Sequence, residues 1–76
     1  MNIIDEATSA ILAAMPGADV SVRGGGGHFE IEVTSPLFQG KRLLERQRLV
    51  LSAIAPLMKG DAAPIHAVDT LVCKTP

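Results

Sequence analysis

Val20-Ser21-Val22-Arg23-Gly24-Gly25-Gly26-Gly27-His28-Phe29-Glu30-Ile31-Glu32-Val33-Thr34 is the stretch on which the fold turns. Val20 and Val22 alternate with Ser21 and Arg23, and beyond the glycines Phe29, Ile31 and Val33 alternate with Glu30, Glu32 and Thr34. Strand side chains point to opposite faces with a period of two, so each run buries one face and wets the other. Two such runs joined by glycines predict a half-buried antiparallel hairpin, its apolar face receiving helices and its Glu30 and Glu32 face looking outward. Phosphate-binding loops are also glycine-rich, but they need backbone amides opening a helix N-terminus, and here a strand follows. A connection that tolerates positive φ accounts for the run better.

Upstream, Ile4, Ala7, Ile11 and Ala14 recur at three- and four-residue steps and predict a helix with one apolar face. Asn2 caps it, Asp5 and Glu6 sit where the helix dipole favours negative charge, and Pro16-Gly17 stops it. Downstream, Ser35-Pro36 breaks the second strand and starts a short helical turn through Phe38, ended by Gly40. A longer helix follows with Leu43, Val50, Ile54 and Leu57 on one face, and Pro56 predicts a kink or an early end. Residues 60–64 form a loop, and Ile65 to Cys73, rich in β-branched residues, reads as a third strand. The order α-β-β-α-α-β predicts an α+β domain with helices on one face of a three-stranded sheet. The long helical connection permits a parallel last pairing, which makes the sheet mixed.

Seventy-six residues suit one domain with a modest core. One cysteine, Cys73, excludes an internal disulfide, and the N-terminus reads as no charged-then-apolar leader, so a cytoplasmic home is expected. No apolar run approaches a membrane span. A net charge of −1 provides no global attraction to phosphates, and two phenylalanines without tryptophan or tyrosine make a poor base-stacking surface. The charge is unevenly spread, however: Lys41, Arg42, Arg46 and Arg48 fall within eight positions, opposed only by Glu45. Arg42 and Arg46 are one helical turn apart and share a face, either a solvated one or a docking site for phosphates or an acidic partner.

No nucleophile, base and orienting group can be assembled from these residues, so a binding protein rather than an enzyme is expected. The remaining chemistry lies in the histidines. His28 follows the glycine run and reads as a solvated strand histidine or a ligand. His66, between Ile65 and Ala67 beside a strand expected to pack centrally, needs a hydrogen-bond partner or a bound ligand. Two histidines and a cysteine make no closed zinc site, but thiolate and imidazole ligands of a 2Fe-2S cluster can come from two chains. Cys73 reads as a small core hydrophobe.

His28-Phe29, Ser35, Phe38-Gln39-Gly40, Arg46-Gln47-Arg48-Leu49-Val50, Ile65-His66-Ala67 and the closing Thr75-Pro76 together resemble the BolA family over residues 28–76. These are small adaptors associated with monothiol glutaredoxins and iron-sulfur cluster handling. The resemblance implies a fold like the second type of KH domain across residues 1–76. It also implies that His66 supplies a ligand to a 2Fe-2S cluster shared with a CGFS-type glutaredoxin and its glutathione, a cluster this chain does not hold alone. Family members often add a His or Cys ligand from the loop joining the first two strands. Here that position falls on glycine, and His28, which matches the separate histidine before the phenylalanine, is the substitute candidate. Arg46-Gln47 resembles the acid-stress branch. The family's other activity, transcriptional regulation of stress and morphology genes through DNA, would rest here on Lys41, Arg42, Arg46 and Arg48. No Gly-x-x-Gly loop follows Gly40, which places RNA binding behind both.

Overall fold

A computed structural model describes residues 2–76. The elements are α1 (Ile3–Ala14), β1 (Asp19–Gly25), β2 (His28–Thr34), a 3-10 turn over Pro36–Phe38, α2 (Leu43–Ile54), a second 3-10 turn over Ala55–Met58, and β3 (Ala67–Lys74). The strands lie in the order β1-β2-β3, with β1 antiparallel and β3 parallel to β2. The mixed α+β sandwich expected from the alternation is the observed one.

Each boundary has a local cause. Asn2 Oδ1 accepts the Asp5 amide at 2.9 Å, which satisfies one of the donors that a helix start leaves free. Ser35 Oγ accepts the Leu37 amide at 3.1 Å and opens the first 3-10 turn, and Gly40, with φ +78°, leaves that segment. Pro56 ends α2 early rather than kinking it, because the chain passes into a 3-10 turn carrying the proline in its first two positions.

The core is the apolar face of β2, Phe29, Ile31 and Val33, covered by Ala7 and Ile11 from α1, Met15 at its C-cap, and Val50 and Ile54 from α2. Phe38 and Ile65, from outside these elements, are buried in the same cluster. A buried side chain of this size contributes about 1.5–3 kcal/mol through its removal from water. The opposite face of the sheet carries exposed ion pairs, Arg23 to Glu30 at 3.8 Å and Lys74 to Glu32 at 2.6 Å. Pairs so exposed contribute little, because solvent screens them and the long side chains lose freedom in forming them.

Four expectations need correction. The face of α1 continues to Met15, which is buried, while Ala14 is exposed. Leu43 is 60% exposed rather than packed with Val50 and Ile54. A face drawn from periodicity has no end, whereas the core beneath α2 does. The third strand starts at Ala67, not Ile65, because the Ile65 amide is bonded to the Leu57 carbonyl at 3.1 Å and only later residues pair with β2. It is also an edge strand, and the central place belongs to β2, which pairs on both sides.

Candidate functional site

The hairpin pairs through Gly25↔His28 and turns on Gly26-Gly27 alone. Both have positive φ, +63° and +84°, as a two-residue turn matched to strand twist requires. Gly27 also supports the residues before β3. Its carbonyl oxygen accepts the amides of His66 at 2.8 Å and Ala67 at 3.0 Å, using both acceptor sites of one oxygen. A Cβ at Gly27 would lie 2.9 Å from His66 Cγ, so the imidazole rests against the bare backbone of the turn. His66 is exposed, whereas Ile65 before it is buried. The buried side chain anchors the corner, and the exposed one faces solvent.

His28 stands beside this corner, paired across the sheet with Ala67. Its Nδ1 lies 3.2 Å from Asp69 Oδ1, and both side chains are more than half exposed. The glycine turn thus brings His28 and His66 to one end of the sheet. Among the described residues no group of three or more His, Cys, Asp and Glu side chains is placed to hold a metal ion. What the corner offers is a partial donor set of exposed imidazoles, ligands of the kind that replace thiolates on some 2Fe-2S irons.

Cys73 lies seven residues beyond His66, roughly 20 Å along the strand. It is 6% exposed, and burial pushes its thiol pKa up against a smaller opposing effect of the Arg46 cation. It packs in the core, as its apolar neighbours suggest.

The basic residues divide. Arg46 is half-buried: its Nε donates to the Lys41 carbonyl at 2.9 Å, its Nη1 to the Cys73 carbonyl at 3.3 Å, and its guanidinium lies 5.9 Å from the Phe38 ring centroid. It ties the start of α2 to the far end of β3. Arg42 precedes the first turn of α2, where its amide donates to Glu45 Oε1 at 3.4 Å. Lys41, Arg42 and Arg48 are exposed. Between α2 and β3 runs an open groove of about 250 Å³ lined by Gln47, Leu51, Val68, Asp69 and Leu71.

Two participants escaped the sequence reading, the Gly27 carbonyl and Asp69. The first carries no side-chain signal. The second had one: Val68 and Leu71, which both pack against the core, are three apart, and that spacing breaks the period of two and marks an irregular strand.

A family model described as BolA-like protein matches residues 2–76. Protein BOLA2 of Arabidopsis thaliana is 45% identical over 58 residues, a stretch covering 75% of this chain and 58% of that relative, so the chain spans less than two thirds of it. A solved Bol-like protein from Babesia bovis is 35% identical with a TM-score of 0.75, the match covering all of this chain and 87% of that one. BolA1 from Arabidopsis thaliana superposes with a TM-score of 0.84 over all of this chain and 94% of its own, at 22% identity, which speaks to the fold alone.

Proposed function

The chain belongs to the family of BolA-like proteins, and from that premise we propose that it is a non-enzymatic adaptor that docks a monothiol, CGFS-type glutaredoxin with its glutathione and shares a 2Fe-2S cluster with it. Its setting is iron-sulfur trafficking or the response to iron and redox stress in the cytoplasm. The observation that carries this reading is the exposed His66 imidazole, seated on the Gly27 backbone and anchored by buried Ile65. A ligand held on rigid backbone loses little freedom on coordination. The partner supplies the remaining ligands, and the docking face is the surface around His66 together with the exposed side of α2. Among the described residues no helix is long and apolar enough to cross a membrane.

The test is an anaerobic titration of the chain into cluster-loaded glutaredoxin, followed by visible circular dichroism. A new cluster spectrum saturating at one chain per cluster, and abolished in His66→Ala, is expected. An unchanged spectrum for the His66→Ala complex sinks the ligand assignment.

A second reading, a DNA-binding regulator, is favoured by the exposure of Lys41, Arg42 and Arg48 around the start of α2. Neutralising a side chain that meets a phosphate should flatten the slope of log affinity against log salt by about 0.9. A salt-independent complex, or no binding at low salt, rules this reading out.

A further inference from the structure

The register of β3 against β2 steps from Phe29↔Val68 to Glu30↔Thr70, so Asp69 has no partner on β2 and is the extra residue of a bulge. In an unbroken register Asp69 would stand opposite Glu30, two carboxylates face to face, which is destabilising. The bulge removes Asp69 from that position, and its carboxylate reaches His28 instead, with Oδ1 3.2 Å from Nδ1. An ionised carboxylate only accepts hydrogen bonds, so Nδ1 must be the protonated nitrogen of the pair. In a neutral imidazole the other nitrogen, Nε2, then keeps its lone pair.

We infer that Asp69 is the positioning residue of a second imidazole donor, holding His28 in the Nδ1–H form so that Nε2 is the coordinating nitrogen beside the glycine turn. The inference rests on the cluster-sharing reading for the identity of the metal group and extends it by assigning a ligand atom and its orienting partner. A carboxylate that takes one ring nitrogen fixes both tautomer and ring direction, the usual outer support of a metal-bound histidine. His28 needs that support. More than half of its side chain is exposed, and Asp69 is its one side-chain hydrogen-bond partner among the described residues. The glycine turn carries no ligand of its own, and His28, the chain's other histidine, pairs with Ala67, the residue next to His66.

Two measurements test this. In the free ¹⁵N-labelled chain, long-range proton–nitrogen correlations are recorded above the ordinary imidazole titration range. His28 is expected as Nδ1–H, shifted to Nε2–H in Asp69→Ala and returned by Asp69→Glu, with the amide spectrum reporting that each variant is folded. A wild-type His28 with the same tautomer as Asp69→Ala overturns the positioning role. In the glutaredoxin titration, His28→Ala and Asp69→Ala should each weaken cluster-dependent binding, by about 10- to 100-fold for the loss of the outer partner. Wild-type affinity and spectrum in both, with His66→Ala still abolishing the cluster signal, overturns the donor role of His28. No effect of His66→Ala removes only the His66 ligand assignment, whereas no new cluster spectrum with the wild-type chain overturns the cluster-sharing reading and the donor role with it, and the tautomer measurement judges Asp69 independently.

Discussion

Gly27 carries His66: its carbonyl accepts the His66 amide at 2.8 Å, and the imidazole packs so closely on it that a Cβ would sit 2.9 Å from Cγ. The hairpin turn and the residue just before β3 are thereby a single construction, and the position of His66 is inherited from a residue without a side chain.

Replacing Gly27 by alanine should therefore do two things, whereas the same change at Gly26 should do one. Both positions have left-handed φ, which costs an alanine about 1–2 kcal/mol. Only Gly27 adds a clash, since nothing lies within 4 Å of a Cβ at Gly26. Urea unfolding should show Gly27→Ala as the less stable variant, and amide shifts of His66 and Ala67 should move in it alone. Equal stability losses, with His66 undisturbed in both, would refute the coupling.

Arg46 should behave as part of the fold. Its guanidinium donates to the Lys41 and Cys73 carbonyls and lies over Phe38, so Arg46→Ala removes charge-assisted hydrogen bonds along with packing. A loss of about 1–3 kcal/mol is expected, against less than about 0.5 kcal/mol for exposed Arg48→Ala. Equal denaturation midpoints for the two variants would contradict this. It follows that DNA binding is fairly tested by neutralising Lys41, Arg42 and Arg48, because a change at Arg46 mixes stability with affinity.

The hairpin and α1 were legible because alternation and helical spacing report burial directly, and β2, with Phe29, Ile31 and Val33 all buried, is the plainest case. The parallel placement of β3 followed from the length of its connection. Its edge position did not, since composition says how apolar a strand is and not what lies on its far side. Arg46 read as one charge among four because a guanidinium that caps carbonyls looks in sequence like one that meets solvent. The histidines were visible as residue types, but what orients them was not. Asp69 is 41 residues from His28, and only the bulge, a feature of pairing, brings the two together.

On the outer face, Lys74 holds the Glu32 carboxyl below the ordinary carboxylate range, first through the hydrogen bond between them and then through its charge. A folded-state pKa below the unfolded value means that the pair stabilises the protein above the ordinary carboxylate pKa and loses this as pH falls through the depressed value. The effect is small and screened by salt, because both side chains face water. Glu32→Gln should flatten the acid limb of a stability–pH curve at low salt and leave it unchanged at high salt. An acid limb identical to wild type at low salt would show that the pair adds nothing.

Cys73 makes the opposite prediction at the other end of the pH scale. Burial favours the neutral thiol, so its folded pKa is raised, with Arg46 opposing the shift only in part. The folded state thus holds this proton more tightly than the unfolded chain does. That stabilisation is complete below the ordinary thiol pKa and is lost as pH rises through the raised folded value. Two measurements check it. Alkylation of the native chain should be slow at neutral pH and become fast in urea, since the thiolate is the reactive form and here it is both disfavoured and covered. Cys73→Val, which keeps an apolar side chain in the core, should lose the alkaline decline in stability. Fast alkylation of the native protein would mean that the thiol is open to solvent, and Cys73 would then have to be counted among the reactive groups of the surface rather than those of the core.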